Sequence, residues 1–170
     1  MNSSGPLALA GLSVRAAAQA ARRDGLRVLA LDLFGDADTC EAAEAWRPLG
    51  TAAALAIDAE ALLGELARRR ESLLGCWPGA GFEDCPELLE EAERLCPLLG
   101  TPAAGWQALL DPRAFFRQLD AWGIAHPEVR WRAPDETEGW LCKRAGSRGG
   151  EHVRSEEHTS ELQSQSTISY

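Results

Sequence analysis

The sequence contains no run of about 18 or more apolar residues, so it offers no helical segment able to span a bilayer. It also lacks a basic stripe interleaved with aromatics. With 17 Lys+Arg against 26 Asp+Glu the net charge is −9, which argues against nucleic acid as a main partner. The cysteines Cys40, Cys76, Cys85, Cys96 and Cys142 include no C-x-x-C pair. An odd count without metal spacing fits reduced, buried thiols and a cytoplasmic setting. The opening MNSSGPLALAGL has no basic n-region and leads into a strand pattern, which argues against a signal peptide. The phosphate-loop pattern G-x-x-x-x-G-K-S/T is absent as well.

What is present is a length and an alternation. The 170 residues, 45% of them hydrophobic, suffice for one globular unit, or for one domain and the start of another. Leu7–Leu12 reads as a buried parallel strand and Val14–Arg23 as an alanine-rich helix capped by Ser13, with its cations gathered at the C-terminal end. Gly25 stops that helix, and Leu26–Phe34 is a second buried strand carrying Asp32. Thr51–Ile57 is a third strand candidate, Asp58–Arg70 a helix capped by Asp58, and Ser72–Trp77 a fourth strand. Pro86–Leu95 reads as an amphipathic helix and Leu98–Gly100 as a short fifth strand. Strands alternating with helices over residues 7–100 predict an α/β fold: a Rossmann-like parallel sheet with helices on both faces. Beyond Thr101 the texture changes to two helices, Pro102–Leu110 and Pro112–Trp122, then an extended segment around His126 and Pro127.

Four places invite chemistry. Gly139–Val153, GWLCKRAGSRGGEHV, is a short strand that delivers Lys143 and Arg144 to a loop containing Gly146, Ser147, Gly149 and Gly150. Bare backbone amides beside a fixed cation can wrap a polyphosphate, although a plain solvated turn has the same composition. Asp32 lies 21 residues after Gly11, near the spacing of a ribose-binding acid in a dinucleotide fold. The turn AGLSVRA supplies one glycine where that fingerprint needs three, so the blander assignment is preferred. Asp32, Asp36 and Asp38 around the loop GDADT hint at a metal but have no calcium-loop continuation, and a solvated loop is preferred. His126 beside a proline in a linker reads as an exposed residue rather than an acid–base group.

The residues Arg154–Ser164, RSEEHTSELQS, spell the in-frame translation of a widely used sequencing adapter. Residues 154–170 are therefore expected to be an artefactual, disordered tail, and the reading frame to break off in mid-domain.

The order LALAGLSVRAAAQAARRDGLRVLALDLFGDADT, GAGFEDCPELLE, LLGT, DPRAFFRQLDAWGIAHPEVR, GWLCKRAGSRGGEHV resembles the front of the ATP-grasp superfamily. It is similar in particular to predicted ATP-dependent carboligases related to biotin carboxylase. The resemblance implies a pre-ATP-grasp domain at 1–101 and the truncated beginning of an ATP-grasp domain at 102–153. It implies ATP and Mg2+ as cofactors, with Lys143 and the loop of Gly146, Ser147, Gly149 and Gly150 on the ATP phosphates and the Mg2+ ligands in a missing C-terminal half. Arg148 departs from the small residue usual in that loop, and Leu110 stands where many relatives have a basic residue. The reaction implied for an intact enzyme joins a small-molecule carboxylate, activated as an acylphosphate, to an amine or other nucleophile; a homodimer is compatible with it, and the stretch in hand would be inactive alone. Two other classes stay open at this point: a non-catalytic nucleotide- or partner-binding α/β domain, and an NAD-dependent oxidoreductase using Asp32.

Overall fold

Successive side chains of a strand point to opposite faces, and both faces of the first strands here are apolar. A computed structural model describes residues 5–132, 134–136, 138–144, 154–155 and 167–169. In it β1 (Leu7–Ala10) pairs in parallel with β2 (Val28–Asp32), and β2 with β3 (Ala45–Pro48). On its other side β1 pairs in parallel with β4 (Gly75–Pro78), which gives the sheet order β3-β2-β1-β4. Ala8, Ala10, Leu29 and Leu31 point to one face, where Leu62 and Leu66 of α3 (Ala59–Arg69) and Leu88, Leu89 and Ala92 of α4 (Glu87–Leu95) cover them. Leu9, Val28 and Ala30 point to the other face, beneath Ala18 and Ala21 of α1 (Arg15–Arg23) and Ala42 of α2 (Ala37–Ala42). The parallel sheet with helices on both faces is therefore as the alternation predicts. The alanines on the second face leave little side-chain bulk between α1 and the sheet.

The chain forms two compact units, Met1–Trp106 and Gln107–Tyr170, and the division falls inside α5 (Ala103–Leu110). The second unit contains α6 (Pro112–Ala121), capped by Asp111 through the Arg113 N–H at 2.9 Å, and a small antiparallel sheet. In that sheet β5 (Leu141–Arg144) lies between β6 (Arg154–Ser155) and β7 (Thr167–Ser169). Arg154–Ser155 and Thr167–Ser169 pair with β5, and the rest of the stretch expected to be an artefactual tail lies outside the described residues. A lone β5 would leave two edges of unpaired N–H and C=O groups, and the following chain supplies partners for both.

Local chemistry accounts for the other differences. The third strand is Ala45–Pro48, not Thr51–Ile57, where residues 52–55 form an exposed turn with Leu55 at φ 46. The segment TAAALAI is apolar but alanine-rich and poor in β-branched residues, so it has little strand preference. Pro48 is tolerated because β3 is an edge strand. The expected fifth strand is reduced to a parallel bridge between Leu98 and Cys76. The loop GDADT is largely the start of α2: Asp36 caps it by accepting the Thr39 N–H at 2.8 Å. Asp58 caps α3 in the same way, through the Ala61 N–H at 3.0 Å, as the sequence predicts.

Ser13 does not cap α1. The N-cap position is Val14, whose N–H donates to Oδ2 of Asp32 at 3.1 Å. The Oδ1 atom of Asp32 accepts from the Phe34 N–H at 3.1 Å, the Gly35 N–H at 3.0 Å and the Trp46 indole N–H at 2.8 Å. Asp32 is 0% exposed, so one buried side chain satisfies donors from α1, from the turn after β2 and from β3. Gly35 is fixed by the same arrangement: its φ is 54, and a Cβ there would sit 2.5 Å from the Trp46 ring. Asp32→Ala, which removes the acceptor of four buried or half-buried hydrogen bonds, is expected to lower unfolding free energy by about 3 kcal/mol or more, with Asp32→Asn intermediate. Urea denaturation measures it, and a loss below about 1 kcal/mol would contradict this role.

Candidate functional site

Lys143 is the only lysine in a chain with 17 Lys+Arg. It stands on β5, opposite Ile168 of β7, and the neighbouring Cys142 is buried. Strand alternation puts Lys143 on the other face from Cys142, half-buried. The central strand of a three-stranded sheet thus carries a compact, strongly hydrated point charge of the kind suited to phosphate oxygens. Gly146, Ser147, Gly149 and Gly150, the rest of the predicted site, lie outside the described residues, as does Arg148.

In the first unit, ligand chemistry is expected where the strand order reverses, between the C-terminal ends of β1 and β4. The loops there are stitched together: the Gly79 N–H donates to the Ala10 carbonyl at 2.7 Å and the Leu12 N–H to the Ala80 carbonyl at 2.8 Å. Gly11 is a glycine for this reason. A Cβ on it would lie 3.0 Å from the Ala80 oxygen, so protein occupies the space through which a pyrophosphate would approach. Asp32, the candidate ribose acid, is buried with both oxygens engaged by protein donors. The geometry agrees with the blander assignment: Gly11 and Asp32 both serve the fold.

The other carboxylates also have structural duties. Asp36 is held below the usual carboxylate range chiefly by the Thr39 N–H, with Arg15 at 3.6 Å adding to the effect. No group of three His, Cys, Asp or Glu side chains able to hold a metal occurs among the described residues. The arginine run at the end of α3 does more than face the helix dipole. Arg68 and Arg69 reach the buried Glu65 at 2.6 and 3.3 Å, and Arg47 approaches it at 3.9 Å. A carboxylate buried without such partners would be strongly destabilising. No helix among the described residues is long and apolar enough to cross a membrane.

His126 is better ordered than an exposed linker residue. Its Nδ1 lies 2.7 Å from the Pro127 carbonyl oxygen and its Nε2 3.0 Å from Oδ1 of Asp120, while Phe116 packs against the ring at 5.0 Å between centroids. Both ring nitrogens face acceptors, so the doubly protonated imidazolium satisfies both contacts. The Pro127 carbonyl first, and Asp120 second, raise its pKa above the ordinary value of 6.5. A raised folded-state pKa stabilises the fold fully below the unfolded value, and that contribution fades as pH rises through the folded one. A histidine NMR titration should place His126 above 6.5 and Asp120→Asn should move it down; a midpoint at or below 6.5, or no response to Asp120→Asn, would contradict the geometry.

No protein-family model matches the sequence, and no curated protein does. Solved structures do match. An N5-carboxyaminoimidazole ribonucleotide synthetase, PurK, in its ADP complex superposes with a TM-score of 0.68 at 15% identity, over 98% of this chain and 46% of that one. The biotin carboxylase domain of the Hydrogenobacter thermophilus 2-oxoglutarate carboxylase, a dimer with MgADP, ADP and bicarbonate, gives 0.67 at 13% identity, over 99% and 44%. The L-amino acid ligase of Bacillus licheniformis gives 0.65 at 17% identity, over 97% and 43%. The chain thus spans less than half the length of each of these ATP-grasp enzymes. Its fold is that of their N-terminal part.

Proposed function

We propose that this chain is the front of an ATP-grasp ligase. In this reading residues 1–101 are the pre-ATP-grasp domain, 102–153 begin the ATP-grasp domain, and Lys143 with Gly146, Ser147, Gly149 and Gly150 holds the ATP phosphates. The observation that carries it is the conjunction of a fold shared with enzymes solved as ADP and MgADP complexes and a single lysine on the strand that leads into the Gly-rich stretch. In a chain that otherwise uses arginine, one lysine at that position fits a phosphate-binding role.

The reaction is the activation of a small-molecule carboxylate. A carboxylate oxygen attacks the γ-phosphorus, ADP leaves with the bonding electrons, and an acylphosphate forms. An amine nitrogen, or another nucleophile, then attacks the acyl carbon, loses its proton and expels orthophosphate. Lys143 and the loop amides would stabilise the charge that gathers on the phosphoryl oxygens during transfer. Mg2+ supplies further neutralisation when bound, and its ligands belong to the part of the enzyme this chain does not span. The same reading gives a cytoplasmic enzyme, compatible with a homodimer like that of the carboxylase domain. The stretch in hand is inactive by itself.

The test is ATP turnover by the full-length enzyme. Lys143→Ala is expected to lower kcat/KM for ATP by about 100-fold, the scale of one lost oxyanion-stabilising group. Turnover unchanged in that variant would remove Lys143 from the site and with it this assignment.

A further inference from the structure

The second unit contains a cleft of about 430 Å³ that the nucleotide reading does not use. One face of α6 contributes Arg113, Phe116, Arg117 and Asp120, which recur at helical spacing. Gly123, at φ 65, ends the helix, and the extended segment that follows carries His126 and Trp131 back across that face. Phe116 forms the floor, 5.0 Å from the His126 ring and 6.4 Å from Trp131 between centroids. The volume falls within the range of small-molecule sites, and the wall combines aromatic rings with a few converging polar groups.

Its charges are unequally committed. Asp120, the acidic group of the lining, is engaged by His126 at 3.0 Å. Among the described residues neither Arg113 nor Arg117 forms an ion pair with a carboxylate. The Arg113 guanidinium stacks 4.4 Å above the Trp131 ring. Arg117 donates from Nε to the Arg113 carbonyl at 3.1 Å, which fixes its stem and leaves its terminal nitrogens for another acceptor. Two guanidinium groups one turn apart, beside an imidazole whose two nitrogens face acceptors, give the cleft a positive wall in a chain of net charge −9.

We propose that this cleft binds a small organic oxyanion, a phosphomonoester or a carboxylate, with its anionic head on Arg113 and Arg117. Guanidinium forks take such oxygens in pairs, and stacking on Trp131 together with the Nε–carbonyl bond pre-orders both forks. The cavity is larger than a bare phosphate, so an organic body accompanies the head. Lys143 is not part of its lining.

Titrating the 170-residue chain with phenyl phosphate and, separately, with benzoate tests the idea and tells the two head groups apart. Saturable binding of at least one probe is expected, with a shift of the His126 ring resonances. In Arg117→Gln the dissociation constant should rise about ten-fold or more, the scale of one charge-assisted contact. In Lys143→Ala it should not change. Saturable binding that is equally tight in Arg117→Gln would overturn the proposal, as would binding lost only in Lys143→Ala. Failure of both probes to shift His126 in the wild-type chain would overturn it directly, whatever the variants do.

Discussion

The first unit depends on one buried carboxyl group. Asp32 ends β2, and its two oxygens collect N–H donors from the start of α1, from the turn after its own strand and from the Trp46 indole on β3. Without it the Val14 N–H would be buried without an acceptor, and the other three donors would lose the acceptor they share. The entry of α1, the tight turn at Gly35 and the edge strand β3 are consequently set by the same group. An acid at the C-terminal end of a Rossmann-like strand invites a ligand role. Here it is consumed by the scaffold, and the glycine that would admit a pyrophosphate is consumed by the Ala80 carbonyl.

That economy moves the search for chemistry to the second unit, where charge is distributed differently. In the first unit the buried Glu65 is matched by Arg68, Arg69 and Arg47, and Arg27 and Arg22 pair with Glu44 and Glu41. In the second, Arg113 and Arg117 line a cleft without carboxylate partners among the described residues, and the only lysine of the chain lies on β5. The chain shares its fold with enzymes solved as ADP and MgADP complexes, and in the proposed reading that lysine takes the ATP phosphates.

The sequence made the sheet legible because β1 and β2 are apolar on both faces, a pattern that only a parallel strand covered on two sides requires. Asp58 and Gly25 marked helix ends by well-defined local chemistry, and both act as expected. The misses have physical causes. TAAALAI is apolar by composition but has β-branched side chains only at its two ends, and the short edge strand AWRP has no periodicity to reveal it. Ser13 is outcompeted as a helix cap by Asp32, 18 residues away from Val14, and a contact of that range leaves no local signal. Arg113 and Arg117 share a face of α6 by their i, i+4 spacing, but His126 joins them only because the chain turns back after Gly123, which no spacing rule encodes. The resemblance to ATP-grasp enzymes, by contrast, was carried by the order of motifs along most of the chain, and at the level of fold the solved structures agree with it.

The most direct measurement exploits the single lysine. An acyl-phosphate derivative of ATP transfers its acyl group to an amine held beside the phosphates, and Lys143 is the one side-chain amine in the chain. Peptide mass spectrometry after labelling should find the acyl group on Lys143, with labelling suppressed by excess ADP but not by NAD. Labelling of Lys143 that is indifferent to ADP would mean that the lysine is merely accessible, and the chain would then have the fold of an ATP-grasp enzyme without its nucleotide site.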